Sequence, residues 1–349
     1  MKMGKKIKNL KFNKKDAITL AVVFAIYIFF FVMVLSGAAS NQLKSMIIPI
    51  SYNIVLALSL NLMVGFLGEL SLGHAAFMSV GAYAGAFFSV KLASSFPGLP
   101  IWVYLPLAML IGGVAAAIAG IIIGIPALRL RGDYLAILTL AFGEIISNII
   151  TNVDVLGGAI GFDTSTVTPK IGKVQTLLPF AAAAVIITTV LIINFVRSKH
   201  GRAITAIRDN RIAAEASGIN VKFYRISVFA ISSFFAGIAG VLYAHNLNLL
   251  KASTFDFNMS IEILVIVVLG GMGNLTGSVI AAIIMYMLPE LLRDFDAYRM
   301  LIYSVLLIGI MIFTSAPGLK NFREKMKLEN IKNVVASKIN KNKKGGEEK

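Results

Sequence analysis

Long apolar runs constrain the fold of this chain more than any other feature of its sequence. A helix that spans a bilayer needs about 20 mostly apolar residues, and eight stretches meet that requirement. The candidate spans are 17–36, 47–67, 73–90, 102–124, 134–151, 177–196, 225–246 and 299–315. Only 14% of the residues are charged, against about 25% in a soluble domain. The first run is too long for the apolar core of a secretory signal, so we expect it to be retained as a helix.

The distribution of basic residues predicts how the chain is oriented in the membrane. The formal net charge is +16, and most of the 33 Lys and Arg residues lie at the two ends of the chain and in the loop after the sixth run. Cytoplasmic segments of membrane proteins carry such an excess, which also favours contact with anionic membrane lipid. No soluble basic domain is present, so nucleic acid is not an expected partner. The predicted domains are a basic cytoplasmic N-terminal tail (1–16), a transmembrane domain (17–315) with a cytoplasmic loop (197–224), and a basic cytoplasmic C-terminal tail (316–349).

One region, 260–288, does not fit a simple span. If the basic segments are all cytoplasmic, the chain crosses the membrane an even number of times between the loop 197–224 and the C-terminal tail. The runs 225–246 and 299–315 already supply two crossings. Region 260–288 therefore crosses twice or not at all, although its length suits one crossing. Glycines in "LGGMGNLTG" (269–277) mark a break, so we predict two half-length helices that meet at a bend. The stretch "VGFLGELSLG" (64–73) is similar, with Gly68 matching Gly273. The predicted fold class is an all-α polytopic membrane protein with 8–10 transmembrane helices, interrupted helices and an internal repeat.

Polar side chains within the apolar runs are candidates for a substrate path. Interrupted helices at corresponding positions of two repeats are the best sequence indication of such a path, and a carboxylate in a span should face protein or water. Helical spacing places Asn53 and Asn61 on one face of the second run, and Glu144 and Asn148 on one face of the fifth. The candidate path residues are Asn53, Asn61, Glu69, Ser71, His74, Glu144, Asn148, Asn274 and Thr276.

Several of these residues also fit purely structural roles. The polar faces that carry Asn53, Asn61 and Glu144 would serve simple helix–helix contacts equally well. Glu69 and His74 would point about 140° apart on a continuous helix, so we expect the chain to bend between them. They lie either in a tight, solvated cytoplasmic turn or at an interrupted helix beside the path. His245, near the outer end of its helix, is expected at the membrane interface.

The charged loop 198–224 is too polar to insert into a membrane. Its pattern predicts a cytoplasmic helix over 202–217, with Gly218 as its C-cap residue. A basic helical loop is suited to docking a soluble partner, although a solvated connection has the same composition. The chain has no G-x-x-x-x-G-K-[ST] phosphate loop, no H-E-x-x-H zinc motif and no cysteine. We therefore expect no ATPase site, no catalytic residues, no metal and no cofactor of its own.

Four blocks of sequence resemble the M-type permease of branched-chain amino acid ATP-binding cassette (ABC) importers. They are "LSLNLMVGFLGELSLGHAAFMSVGAY" (58–83), "RLRGDYLAILTLAFGEI" (129–145), "GRAITAIRDNRIAAEASGINVKFYRISVFAISSFFAGIAGVLYA" (201–244) and "SIEILVIVVLGGMGNLTGSVIAA" (260–282). The resemblance implies import of leucine, isoleucine or valine across the bacterial inner membrane by alternating access. It also implies a second, H-type permease, two ATP-binding subunits and an extracytoplasmic substrate-binding protein as partners.

The resemblance gives the loop after the sixth run a role in coupling. The stretch "AAEASG" (213–218) matches the family's cytoplasmic coupling loop, which contacts the ATPase subunits. The coupling residues implied in this chain are Arg208, Asp209, Ala213, Ala214, Glu215 and Gly218.

Substrate identity and energy source leave alternatives. The outer loop reads "VLGGAIGF" (155–162), where relatives have a Thr-Gly-Gly-Pro-like stretch, and permeases for urea, short amides and sugars are related. An ion-coupled secondary transporter, with Glu69, Glu144 and Glu262 as proton relays, is a further alternative. An intramembrane enzyme is disfavoured because no nucleophile motif accompanies the serine and histidine of "ELSLGH" (69–74).

Overall fold

A computed structural model describes residues 14–37, 40–96, 98, 100–130, 132–168 and 173–292, with isolated positions between 298 and 309. Contacts divide the chain into two units, 1–288 and 289–349. In the second unit the described residues are the last turn of a helix and the isolated positions. The helices are α1 (Lys14–Leu35), α2 (Asn41–Asn61), α3 (His74–Ser95), α4 (Ile101–Ala127), α5 (Asp133–Thr151), α6 (Lys173–Arg197), α7 (Lys199–Asp209), α8 (Arg211–Ala216), α9 (Val221–Asn246), α10 (Phe257–Gly270) and α11 (Leu275–Leu291).

Seven of the eight predicted spans coincide with long helices, which confirms the all-α membrane fold. They correspond to α1–α6 and α9, and the predicted span 299–315 lies outside the described residues apart from isolated positions. Within the described part of the chain, eight helical stretches are long and apolar enough to cross a membrane. The eighth is Ala252–Gly270, which contains α10, and α11 is a shorter apolar helix.

The interior of the first unit is built around α2 and α9. The stretch Asn41–Leu67, made of α2 and its continuation, is almost entirely buried, and α9 packs along α3 and α4. Small residues allow the close approach that membrane helices use in place of a hydrophobic driving force. A Cβ on Gly81 of α3 would collide with Gly237 of α9, and one on Gly120 of α4 would collide with Ser233.

The predicted break in 260–288 is confirmed. Helices α10 and α11 are separated by residues 271–274, in which Gly271 and Gly273 have φ of +89° and +79°. The earlier stretch has a similar break, since α2 continues as a six-residue π-helix, Leu62–Leu67, that ends at Gly68 with φ of +78°. The left-handed region favours glycine. The matched residues Gly68 and Gly273 therefore share a backbone conformation, which supports the internal repeat.

The single helix predicted over 202–217 was wrong. Two helices, α7 and α8, meet at Asn210, whose extended backbone (φ −155°) ends α7. Its side-chain Oδ1 accepts a 3.0 Å hydrogen bond from the backbone N–H of Ala213, so Asn210 is the N-cap of α8. Gly218, with φ of +81°, follows α8 as predicted for a C-cap glycine.

At the opposite end of α9 the chain forms a small ordered loop. Strand β1 (Phe162–Asp163) pairs antiparallel with β2 (Leu249–Leu250). The hydroxyls of Thr164 and Thr168 both donate to the carbonyl of Leu247 at 2.6 Å. This loop and the α7–α8 connection, at opposite ends of α9, mark the two faces of the protein, which we call the loop face and the α7–α8 face.

Candidate functional site

The two interrupted stretches meet on the α7–α8 face, and Asn61 joins them. Asn61 is the last residue of α2 and is fully buried. Its Oδ1 accepts from the backbone N–H of Gly273 at 2.8 Å, and its Nδ2 donates to Ser278 Oγ at 2.7 Å and to the carbonyl of Asn274 at 3.3 Å. One amide therefore holds the end of α2 to the break before α11.

The backbones of the two breaks also touch directly. A Cβ on Gly65, in the π-helix, would collide with the backbone of Gly273. The carbonyl of Gly65 accepts a 2.9 Å hydrogen bond from Arg208 Nη1, at the end of α7. The site thus brings together both halves of the proposed repeat and one residue of the charged loop.

Glu69 pairs with Arg225, a residue that sequence reasoning did not select. Arg225 is 2% exposed and lies in the first turns of α9. Its guanidinium forms an ion pair with Glu69 and donates to three carbonyls at the end of α4 over 2.8–3.2 Å, those of Ala127, Leu128 and Leu130. Burial raises the pKa of the Glu69 carboxyl, and the adjacent guanidinium opposes that shift. The feature of the sequence that could have identified Arg225 is its position as a single arginine at the start of the apolar run 225–246.

Ser71 and His74 lie inside the bundle, and both residues are fully buried. His74 begins α3, and its Nε2 lies 2.8 Å from Ser59 Oγ on α2. Ser71 Oγ has no hydrogen-bond partner among the described residues. The alternative of a solvated turn is therefore wrong for these two side chains and for the largely buried Glu69. The bend expected between Glu69 and His74 is present.

The predicted polar face of α5 points away from this chain. Glu144 and Asn148 are exposed, and Asn148 Nδ2 donates to the carbonyl of Glu144 at 2.8 Å. Asn152, one turn further, repeats this bond to Asn148 at 2.8 Å. Glu262 is exposed on α10, which contacts α5. Glu144, Asn148 and Asn152 therefore form an exposed polar row on α5, and Glu262 is a separate exposed carboxylate on α10.

The remaining path candidates make local contacts. Asn53 is half-buried and donates to the carbonyl of Pro49 at 3.1 Å within α2. Asn274 is exposed and its Oδ1 accepts from the N–H of Gly277 at 3.2 Å, which caps α11. Thr276 bonds through its hydroxyl to Thr19 of α1. The structure therefore does not bring the nine candidates together in one site.

Comparison with known proteins identifies the family. The family described as "Branched-chain amino acid transport system / permease component" matches residues 42–315. The chain belongs to this family. It is 35% identical over 305 residues to the high-affinity branched-chain amino acid transport system permease protein LivM of Escherichia coli, covering 79% of this chain and 70% of the relative. No solved structure matches the chain.

More distant relatives of this permease are named for different substrates. A probable branched-chain amino acid transport permease protein LivM of Methanocaldococcus jannaschii is 26% identical, over 70% of this chain and 79% of the relative. The fructose import permease protein FruG of Bifidobacterium longum is also 26% identical, over 87% of this chain and 91% of the relative. The matched proteins are transport permeases and not classical enzymes, and this permease is a multi-pass membrane protein.

The α7–α8 segment of the permease exposes an apolar surface next to charged groups. Ile212 on α8 is 79% exposed. It was not among the residues selected from the sequence, although an isoleucine within a charged loop is a feature that could have identified it. Ala213 and Glu215 are exposed, Glu215 pairs with Arg211 at 3.1 Å, and Ala214 is buried. This segment therefore places two adjacent apolar residues, Ile212 and Ala213, at the surface beside a charged pair.

One apolar cavity of the permease is not suited to a zwitterion. It is a groove of about 370 Å³ lined by α1, α2 and α11, with apolar side chains throughout, including Phe30, Met46 and Met287.

His245, predicted at the interface, is instead fully buried, with its Nε2 3.0 Å from Ser89 Oγ and its Nδ1 2.9 Å from the carbonyl of Val241. It joins α9 to α3.

Proposed function

We propose that this permease imports branched-chain amino acids across the bacterial inner membrane as the unpowered membrane subunit of an ABC importer. The observation that carries the proposal is the 35% identity to the LivM permeases of Escherichia coli and Salmonella typhimurium, over 79% of the chain. The exposed polar side chains of α5 and the exposed Glu262 of α10 fit that function, because ionisable residues within membrane spans mark substrate pathways.

The substrate path runs along the outer surface of this chain, against a second, H-type permease. An uncompensated carboxylate in a span costs a few kcal/mol against lipid, so the exposed Glu144 and Glu262 call for protein or water beside them. We assign substrate contact to Glu144 and Asn148. The buried Asn61 and His74 hold the interrupted helices that border the path, and the buried Ser71 lies between them in the chain. Asn53, Glu69, Asn274 and Thr276 support the same helices.

Two ATP-binding subunits dock on the α7–α8 face through Ile212, Ala213 and Glu215, with Arg208, Asp209 and Gly218 at the edges of that surface. ATP stays with those subunits, and the permease holds no cofactor. This face is cytoplasmic, together with the tails 1–16 and 316–349. A substrate-binding protein delivers the amino acid to the loop face and supplies most of the selectivity.

Assembly and substrate preference are tested together. The permease is expressed with the ATP-binding subunits and second permease of its own organism, and the co-purified complex is placed in nanodiscs. ATP hydrolysis is then measured with binding protein loaded with leucine, valine, urea, ribose or fructose. We expect stimulation by leucine and valine. Stimulation by ribose or fructose alone would contradict the proposal that branched-chain amino acids are the substrate. Failure of the permease to co-purify with the ATP-binding subunits would contradict its assignment to an ABC importer.

Sugar import is the second candidate, because FruG and the ribose import permease protein RbsC of Haemophilus influenzae are each 26% identical to this chain. An ion-coupled transporter is a third, since Glu144 and Glu262 could relay protons. Uptake by vesicles that hold this chain alone distinguishes an ion-coupled transporter from an ABC permease. The ion-coupled transporter takes up substrate without ATP, and the ABC permease does not.

A further inference from the structure

We propose that Arg208 is the positioning residue through which movement of α7 reaches the two helix breaks. The inference rests on the proposed function, in which ATP-binding subunits push on the α7–α8 face. Arg208 lies at the last turn of α7 and is the residue of this loop whose side chain bonds to the π-helix backbone.

Arg208 bonds to the first break and lies close to the second, at positions where glycine leaves room for it. Its Nη1 donates to the carbonyl of Gly65 at 2.9 Å. A Cβ on Gly68 would collide with Arg208 Cγ, and the position of a Cβ on Gly273 lies 3.8 Å from Nη1. The guanidinium therefore touches the π-helix and approaches the turn before α11.

The guanidinium is fixed relative to α7. Its Nε and Nη2 both donate to Asp209 Oδ1, at 3.1 and 3.0 Å. Ile204, one turn before Arg208, and Ile207 are buried and anchor the same side of α7. A planar guanidinium can hold a carboxylate and a carbonyl at the same time, which an ammonium group cannot do with the same geometry.

Displacement of Gly65 is transmitted to the second break. Gly65 touches the backbone of Gly273, whose N–H is bonded to Asn61 Oδ1 in the preceding turn. Movement of one break without the other would therefore break these contacts. Short π-helical segments are frequent at functional sites, and discontinuous elements are where a rigid-body displacement is absorbed.

The chain contains no cysteine, so single cysteines can report on each part of the linkage. Met272, 62% exposed between α10 and α11, reports on the break, and the exposed Ser217 reports on the end of α8. Reaction rates of Met272→Cys and Ser217→Cys with a small thiol reagent are compared in the complete importer, nucleotide-free and vanadate-trapped. Allosteric coupling typically shifts an equilibrium by about fivefold or more. Because the rate of thiol modification follows the population of the accessible state, we expect a rate change of that order at both reporters.

The variants separate the linkage from general damage. We expect Arg208→Gln to reduce the change at Met272→Cys to less than about twofold and to leave the change at Ser217→Cys intact. Arg202→Gln is the matched control, because Arg202 is exposed on α7 and bonds locally to the carbonyl of Arg197. If Arg208→Gln does not assemble, Arg208→Lys is used, and it should also lose part of the change at Met272→Cys.

Each outcome bears on the proposal. An undiminished response of Met272→Cys in the Arg208 variants, with Ser217→Cys also responding, overturns the linkage and leaves the proposed function standing. A parent importer in which neither reporter responds to nucleotide overturns the docking of the motor on this face and the linkage with it. Loss of the Met272→Cys response in Arg202→Gln as well would mean that α7 acts as a whole and not through Arg208, which also overturns the linkage.

Discussion

Replacing Arg225 by methionine should destabilise the permease far more than replacing Arg211, which pairs with Glu215 at the surface. Removing one partner of a buried ion pair typically costs about 3–5 kcal/mol, and the variant also frees three carbonyls at the end of α4. Because Glu69 is 16% exposed and can take up a proton, we expect a loss of about 4 kcal/mol for Arg225→Met. The surface pair spaced i, i+4 should be worth under about 0.5 kcal/mol.

The partner substitution and pH give independent checks. Glu69→Gln leaves the three carbonyl bonds of Arg225 in place, so we expect a smaller loss of about 2 kcal/mol. In Arg225→Met the opposing guanidinium is gone, and the pKa of Glu69 rises further above its usual range. The folded protein then holds a proton that the unfolded chain releases, so stability falls as pH rises from the unfolded pKa through the folded pKa. The defect of Arg225→Met should therefore be larger at pH 8 than at pH 5.

The assay is reversible unfolding of the detergent-solubilised permease at both pH values, for Arg225→Met, Glu69→Gln, the double variant and Arg211→Met. A double-mutant cycle isolates the pair, and substitutions in direct contact should be non-additive by about 1–3 kcal/mol. Additive losses, or an Arg225→Met defect of the same size at pH 5 and pH 8, would refute the interpretation of Glu69 and Arg225 as a buried and coupled ion pair.

Three further predictions test the breaks, the docking surface and the outward face. Gly65→Ala should prevent correct folding, because its Cβ has no space, whereas Gly143→Ala, with its nearest neighbour 3.6 Å away, should be neutral in melting temperature and monodispersity. Ala213→Glu should leave the melting temperature unchanged but uncouple ATP hydrolysis from uptake, because the side chain is exposed on α8; full coupling would contradict the docking surface. A cysteine at the exposed Asn148 should react with a small polar thiol reagent, while one at the buried Ser71 stays inert in the same state; equal reactivity would contradict the burial of Ser71.

Features that depend on a few neighbouring residues could be predicted from the sequence. The length of each apolar run located seven helices, and the glycines of 269–277 located the break between α10 and α11. Gly218 was identified as a C-cap glycine because that position needs a left-handed backbone. The polar face of α5 was also apparent, because residues four apart share one side of a helix.

Features that depend on packing between distant parts of the chain could not be predicted. The sequence of α9 does not reveal that Arg225 reaches the end of α4, since the two are nearly a hundred residues apart. Asn61 and Gly273 meet because two breaks pack together, which no local pattern encodes. The break at Asn210 was missed because the residues on both sides favour helix, and the competing side-chain bond to Ala213 decides the outcome.

Uptake of radiolabelled leucine into vesicles that contain this permease is the most direct test of whether a separate ATPase powers it. We predict uptake only when the second permease, the ATP-binding subunits, the loaded binding protein and ATP are all present, and none with this chain alone under a proton or sodium gradient. Gradient-driven uptake by the isolated chain would contradict the claim that the permease depends on a separate motor.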